Sequence, residues 1–295
     1  MHRFLRAVGF SNITTKQDMD KLLGITMDKP SVSKQILSKD GRKITELSRE
    51  FAHNTGLTVR GEYDKLGFFH VDHYFPYCYS SLITMRTEVT INRRVDTSAF
   101  TGMCDDIRMA VSVIFYLQNS VDYIKLNFTD NTPHRANLAL SGLSLTGRIL
   151  LGIEKTDDSI ERLRHETRMK RQLIIQAKNG DQDAIDNLTL DEIDLSGQLM
   201  KRIMTEDLYS IVDSTFIPYG SESDNYMIIG TILNWSLTTN PYTNEDVFQL
   251  INCNDVVMNI SINRKDLEGE PMIGRRFKGV IWMQGHADFI STSLV

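Results

Sequence analysis

The apolar runs of this chain are short, and their length constrains its fold more than any other feature. The most continuous runs are AVSVIFYL at 110–117 and VIWM at 280–283. Both have the length of a β-strand, whereas a helix that crosses a bilayer needs roughly 20 apolar residues. The sequence therefore predicts strands as the main buried elements and no membrane partner.

Two blocks of the chain carry strand-like sequence, one at 66–153 and one at 211–295. MRTEVTINRRV in the first block and NYMIIGTILNWSL in the second are rich in β-branched and aromatic residues, with partial alternation. These residue types are enriched in strands because they pack well on a pleated surface. The preceding residues, 1–65, are expected to form a helix and strand segment that packs on the first block.

Helical signals concentrate between the two blocks, at 154–210. Ile160 and Leu163 fall near one helical stripe, and the surrounding sequence is dense with charges of both signs. A shorter helix is predicted at 14–23, where Gly24 is a natural stop. The whole pattern predicts an α+β protein, with a helical insert between two β-rich halves.

The two β-rich halves resemble each other in sequence. VDHYFPYC at 71–78 is similar to VDSTFIPYG at 212–220, and SGLSLTGRIL at 141–150 is similar to IGRRFKGVIW at 273–282. These matches predict an internal duplication, with two related and mostly antiparallel halves. Such paired halves often bind a small ligand in the cleft between them, since domain interfaces are favoured positions for pockets.

The stretch IGRRFKGVIWMQG at 273–285 has two alternative interpretations. Its glycines and basic residues suit a phosphate-binding loop, but it lacks the lysine position and the strand-then-helix context of such a loop. Taken as a strand, FKGVIWM places Gly279 in an otherwise apolar row, and Gly147 holds the same place in the first half. Glycine inside a strand marks a close approach of the backbone, so we interpret both glycines as packing positions.

Charge and cysteine content narrow the class of protein. The 295-residue chain has a net charge of −5, which argues against a general nucleic-acid binder because such a protein needs a basic face. Cys78, Cys104 and Cys253 are far apart and form no CxxC pair, so the usual zinc spacing is missing. Free thiols are typical of a reducing cytosol. We therefore expect a cytoplasmic protein with no metal, no cofactor and no nucleic-acid partner.

The segment FFHVDHYF contains two candidate catalytic residues, His70 and Asp72. On a strand, the side chains of His70 and Asp72 point to one face and that of His73 to the other. Such a pair supplies two metal ligands when a third comes from elsewhere in the chain. Ordinary hydrogen bonding on a strand surface is the favoured interpretation.

Asp105 and Asp106 are the other candidate catalytic residues. They follow Cys104 in TGMCDDIR, a stretch expected to be a loop. Paired carboxylates before a strand bind a cation or, more often, cap a turn. A thiol beside two carboxylates is a poor nucleophile, because negative charge disfavours the thiolate. The polar loop at 218–226 is a further place to look, since loops carry function disproportionately.

Four stretches stand out together: MHRFLRAVGFS, GMCDDIRMAVSVIFYLQN, FIPYGSESDNYMIIGTI and GRRFKGVIWMQG. They resemble a family of uncharacterised proteins from Gram-positive clostridial anaerobes, a domain of unknown function, and the similarity runs along the whole chain. The resemblance implies a stand-alone bacterial cytoplasmic protein. It implies no activity, cofactor or catalytic residue.

The leading interpretation is a non-catalytic binding or protein-interaction protein, because no catalytic constellation stands out in the sequence. The charged helices at 154–204 would then contact a protein partner. The alternative is an enzyme or a small-ligand receptor whose site lies between the halves. Its candidate residues are His70, Asp72, Asp105 and Asp106.

Overall fold

The structure of the protein, a computed structural model, is built mostly from β-strands. It describes residues 2–37, 41–95, 97–106, 111–126, 133–152, 214–254 and 256–290, together with short pieces between 169 and 187. Helices α1 (Lys16–Asp28) and α2 (Ser120–Lys125) accompany the strands. The strands are β1 (Val32–Leu37), β2 (Lys43–Ala52), β3 (Thr55–Tyr63), β4 (Phe69–Cys78), β5 (Met85–Arg93), β6 (Phe100–Asp106), β7 (Val111–Leu117), β8 (His134–Leu150), β9 (Thr215–Pro218), β10 (Asn225–Asn240), β11 (Glu245–Asn254), β12 (Val256–Asn263), β13 (Leu267–Glu268) and β14 (Arg276–Phe289).

Strands β1 to β4 form an antiparallel four-stranded sheet in sequence order, and helix α1 packs against it. Thr15 caps the start of the helix by accepting a hydrogen bond from the Asp18 N–H. The helix runs through Gly24, so the predicted stop at that residue is wrong. Leu22 and Thr26 on either side of the glycine are fully buried, and this packing outweighs the poor helix propensity of glycine.

The remaining strands form a ten-stranded sheet that closes into two rings. Strands β10, β11, β12, β8 and β14 pair in succession, and β14 returns to β10. Strands β5, β6, β7, β14 and β8 make a second ring with the same pairing pattern. The long strands β8 and β14 belong to both rings and form their shared wall. Closure gives these strands partners on both sides and so protects their edges.

One hydrophobic core fills both rings, and glycines make room for its largest side chains. The fully buried ring of Phe277 lies against Gly147 and Gly279, and a Cβ added at Gly147 would lie 2.4 Å from a carbon of that ring. The interpretation of both glycines as packing positions is confirmed. They lie directly opposite each other in the pairing of β8 with β14, as partners in one sheet.

The N-terminal segment lies between the four-stranded sheet and the rings. Its 3-10 turn (Arg3–Val8) and Phe10 contribute most of their side chains to a second buried cluster. Ser261 and Asn240, which lie on ring strands, donate hydrogen bonds to backbone carbonyls of this segment at 2.8 and 3.2 Å. These bonds give backbone carbonyls of the buried segment partners on the rings.

Buried side chains dock the free edge of β4 onto the rings. Gln284 accepts a hydrogen bond from the Cys78 N–H at 3.2 Å and donates one to the Pro76 carbonyl at 2.8 Å. Gln118 and Ser141 donate to the Cys78 carbonyl at 2.9 and 2.6 Å. We call Gln118, Ser141 and Gln284 the amide network. It pairs backbone groups that an edge strand would otherwise leave without partners.

The predicted α+β class is wrong, because sheets rather than helices build both layers of the described structure. The two predicted halves are not separate sheets, since β8 and β14 pair with each other. The matched prolines Pro76 and Pro218 lie in different sheets, in β4 and β9. The internal duplication is not shown. The predicted helical insert at 154–210 falls almost wholly outside the described residues.

Replacing Gly147 by alanine should destabilise the protein by about 1–3 kcal/mol, because the new methyl group overlaps the ring of Phe277. Urea unfolding measures this change. Gly24→Ala is the matched control, since a Cβ at Gly24 meets no atom within 4 Å and should stabilise α1 by up to about 1 kcal/mol. Equal effects of the two substitutions would contradict the packing role of Gly147.

Replacing Gln284 by leucine should lower the free energy of unfolding by about 3 kcal/mol, because the Cys78 N–H and the Pro76 carbonyl would be left buried without a partner. Gln35→Leu on the exposed face of β1 is the control, and a change within about 0.5 kcal/mol is expected there. Both values come from urea unfolding curves. A small effect at Gln284, matching that at Gln35, would show that the amide network does not hold the sheets together.

Candidate functional site

The structure places His70 and Asp72 on the exposed part of β4. The ring of His70 lies 2.8 Å from the Asp64 carboxylate, and its side chain is 67% exposed. Asp72 lies 3.0 Å from Nδ1 of His73, whose Nε2 lies 3.2 Å from the hydroxyl of Tyr116. His70 and Asp72 thus make hydrogen bonds at the surface, and neither lines the cavities described below.

Asp105 lies in strand β6 rather than in the expected loop. Its Oδ1 accepts a hydrogen bond from the Ser112 hydroxyl at 2.6 Å, across the pairing of β6 with β7. Cys104 beside it is buried in the core of the rings. The side chain of Asp106 lies outside the described residues. Within the described ranges, no three histidine, cysteine or acidic side chains form a set that could hold a metal ion.

A cavity of about 350 Å³ lies between the four-stranded sheet and the rings, and we call it the inter-sheet cavity. Strands β1 to β4 form one wall, and the residues after β7 together with β14 form the other. The lining residues are Val32, Lys34, Glu46, Ser48, Glu50, Asn54, Thr58, Phe75, Tyr77, Tyr79, Gln118, Asn119 and His286. Gln118 also belongs to the amide network, so the contacts that dock the two sheets also shape the cavity.

Glu46 is the buried acid of this cavity, with only 5% of the residue exposed. It lies in β2 directly opposite Arg60 of β3, whose Nε is 3.8 Å from Oε2 of the carboxyl group. The Ser120 hydroxyl donates to the same oxygen at 3.5 Å. The other oxygen, Oε1, has no hydrogen-bond partner among the described residues. A ligand in the cavity could therefore bind this oxygen without displacing a protein group.

The pKa of Glu46 is raised to about 7 by burial. Arg60 and Lys34 favour the charged form, but they do not offset the loss of hydration. A carboxyl group that titrates near neutrality changes charge when a charged ligand arrives. Burial combined with a nearby charge in a cavity is typical of functional groups.

Aromatic rings form much of the remaining cavity wall. Phe75 is buried, whereas Tyr77 is half-buried and Tyr79 is exposed. The ring of Tyr79 packs edge-on against His286, with centroids 5.6 Å apart. Burial raises the pKa of Tyr77 and lowers the pKa of His286, so both side chains are neutral at pH 7. The rings therefore offer apolar faces and neutral polar edges to a ligand.

A second cavity, of about 540 Å³, is lined by part of the polar loop singled out at 218–226. Asp224 in this loop is buried and accepts hydrogen bonds from Arg94 and, at 2.9 Å, from the indole N–H of Trp282. Glu222 pairs with an arginine of the N-terminal turn at 2.7 Å. Each acid here already has a basic partner at hydrogen-bond distance. His2 also lines this cavity, and its Nδ1 is buried without a hydrogen-bond partner among the described residues, but burial lowers the pKa of His2 to about 4 and keeps it neutral. We take the inter-sheet cavity as the candidate site because its acid, Glu46, keeps one oxygen open to a ligand.

Sequence reasoning missed the role of the inter-sheet cavity. In KITELSREFA, Glu46, Ser48 and Glu50 alternate with apolar residues such as Leu47 and Phe51, which is the pattern of a strand with one face in solvent. In the structure that polar face looks toward the rings. Helix α2 packs against β2 and places Ser120 beside Glu46, and it comes 74 residues later in the chain, so no local pattern could reveal the burial of Glu46.

The fold and the cavity define a class of protein: a mostly β chain with two closed rings of strands and a polar-apolar cavity against a flanking sheet. The chain belongs to the family described as "Domain of unknown function, E. rectale Gene description (DUF3881)", whose family model matches residues 5–285. The family resemblance drawn from the sequence is thereby confirmed. No curated protein and no solved structure matches the chain.

The helices in the described part of the chain were also compared with the requirements of a membrane span. Such a span needs roughly 20 predominantly apolar residues. None of the described helices combines the necessary length with the necessary apolar character.

Glu46→Gln should weaken the dependence of stability on pH. The pKa of Glu46 is about 7 in the folded protein and near 4.5 when exposed, so the folded state holds this proton more tightly. Its contribution to stability is complete below pH 4.5 and is lost as pH rises through 7. Between pH 5 and pH 8 the unfolding free energy of the wild type should therefore fall by about 2 kcal/mol more than that of the variant.

Urea unfolding of the wild type and of Glu46→Gln at pH 5 and pH 8 gives the change in unfolding free energy of each protein between the two pH values. Glu88→Gln is the control, because the side chain of Glu88 is 62% exposed. This variant should follow the wild type at both pH values. The same pH dependence in the wild type and in Glu46→Gln would show that Glu46 titrates as an ordinary surface carboxyl.

Proposed function

We propose that this protein is a non-catalytic binding protein for a small ligand, which it holds in the inter-sheet cavity. The observation that carries the proposal is the buried carboxyl of Glu46, whose Oε1 lacks a hydrogen-bond partner among the described residues. Oε1 is not fully buried, so this oxygen is open to a ligand, and a convergent polar group in the wall of a cavity is typical of a binding site. A volume of about 350 Å³ lies within the range of small-molecule sites.

The hydroxyl and thiol groups near the cavity support binding rather than chemistry. Ser48 and Thr58 hydrogen-bond each other through their hydroxyl groups at 2.8 Å. His286 lies 3.3 Å from Asp288. Burial raises the pKa of the Cys78 thiol to about 12, which keeps it protonated at neutral pH. None of these arrangements activates a nucleophile.

The location of the protein and its partners belong to the same proposal. We propose that the protein acts in the cytoplasm, supported by Cys78 and Cys104, which are buried free thiols. A protein partner that docks on the charged helices at 154–204 stays a prediction, because nearly all of that segment lies outside the described residues. The expectation of no nucleic-acid partner rests on the net charge of −5.

A substitution at the cavity mouth tests the proposal. Val32 lines the cavity on the edge strand β1 and is 49% exposed, so Val32→Trp should fill the mouth without disturbing the core. Leu37→Trp is the matched control, because Leu37 lies on the same strand, is 71% exposed and does not line the cavity. Thermal unfolding of the three proteins is measured against a library of amines, alcohols, carboxylates, sugars and nucleosides.

Compounds that bind the cavity should raise the melting temperature of the wild type and of Leu37→Trp by several degrees at saturation. The same compounds should not change the melting temperature of Val32→Trp. If no compound changes the melting temperature of any of the three proteins, or if every active compound changes all three equally, there is no binding site in this cavity.

A further inference from the structure

We propose that the ligand of the inter-sheet cavity carries a protonated amine on an apolar, aromatic body, and that its ammonium group binds beside Glu46. This inference rests on the proposed function and adds the chemical class of the ligand. It follows from the charges around the cavity, from the rings that line it and from the coupling of Glu46 to protons.

The cavity has an excess of negative charge. Its acids are Glu46 and Glu50, and its one lysine, Lys34, is already paired with Asp122 at 2.5 Å. Arg60 stands 3.8 Å from Glu46 and also donates a hydrogen bond to a backbone carbonyl in the loop after β5. Nε of Arg60 has no hydrogen-bond partner among the described residues, but Arg60 is 3% exposed and does not line the cavity. An anionic ligand would therefore meet the carboxylates of the lining, whereas an ammonium group would supply a donor to Oε1 of Glu46.

The aromatic wall suits the same ligand. Phe75, Tyr77, Tyr79 and His286 line the cavity together with Glu46. Ring faces attract ammonium groups and also provide apolar contact area for the rest of a small molecule. Because the side chains of Tyr77 and His286 are neutral at pH 7, they add no charge that would repel a cation.

Binding of a cation at this place should release a proton. Burial holds the pKa of Glu46 at about 7, so the carboxyl group is partly protonated at neutral pH. An ammonium group within hydrogen-bond distance favours the ionised form and drives the proton off. The charged and titratable groups that face Glu46 from neighbouring elements are Arg60 on β3, Lys34 on β1, Asp122 on α2 and Tyr116 on β7.

Three probes of similar shape separate the charge requirement from simple cavity filling. They are 2-phenylethylamine, 2-phenylethanol and 3-phenylpropionate, which carry a positive, a neutral and a negative group. Isothermal titration calorimetry should show the amine binding at least tenfold more tightly than the alcohol, with the carboxylate weakest. The amine should release close to one proton per molecule at pH 6 and almost none at pH 8.5, measured at each pH in two buffers that differ in ionisation enthalpy and contain no primary amine.

The affinity for the amine should also rise about tenfold between pH 6 and pH 8, since alkyl amines stay protonated up to about pH 10. Glu46→Gln should abolish proton release and lower the affinity for the amine at least tenfold, while the affinity for the alcohol stays within twofold of the wild-type value. Glu88→Gln should behave like the wild type in every titration.

The outcomes distinguish this inference from the proposed function. If the alcohol or the carboxylate binds as tightly as the amine, the charge requirement is wrong, although the cavity still binds ligands. If no probe binds, or the amine binds without releasing a proton, the inference is also overturned. If the amine binds Val32→Trp as well as the wild type, its site lies elsewhere and both proposals fail.

Discussion

The docking of strand β4 onto the rings is the contact on which the rest of this structure depends. An edge strand exposes backbone groups that must find partners when it is buried. Here a side-chain amide, that of Gln284, bonds both the Pro76 carbonyl and the Cys78 N–H, and Gln118 and Ser141 complete the pairing. Because amides bond in fixed directions, this contact sets the position of the four-stranded sheet as well as its distance from the rings.

The cavity is a consequence of this docking. The two sheets meet through Tyr116, Phe75 and Trp282 in one region, with ring centroids about 5 Å apart. Beyond this region the polar face of β2, which carries Glu46, is covered but not filled. A carboxyl group in such a place cannot be hydrated as at the surface, so its pKa rises to about 7. The geometry of docking thus produces the charge behaviour that we assign to ligand binding.

The strands with strong local patterns were predictable from sequence, whereas their long-range partners were not. β5, β7, β8 and β10 carry β-branched and aromatic residues, and each forms where it was expected. The likeness of the segments around Gly147 and Gly279 suggested two copies of a sheet, but these residues pair with each other in one sheet, and both make room for Phe277. For Glu46, polar alternation is the pattern of a solvent face, and the packing of the distant helix α2 reverses that meaning.

A crystal structure of the protein grown with 2-phenylethylamine at pH 8 is the most direct test of the central claim that a cation binds between the docked sheets. The account predicts the amine nitrogen about 3 Å from the carboxylate of Glu46, with the phenyl ring against Tyr77 or Phe75. It also predicts unchanged hydrogen bonds between Gln284 and β4. Amine bound beside Asp224 in the second cavity, with the inter-sheet cavity empty, would contradict the account.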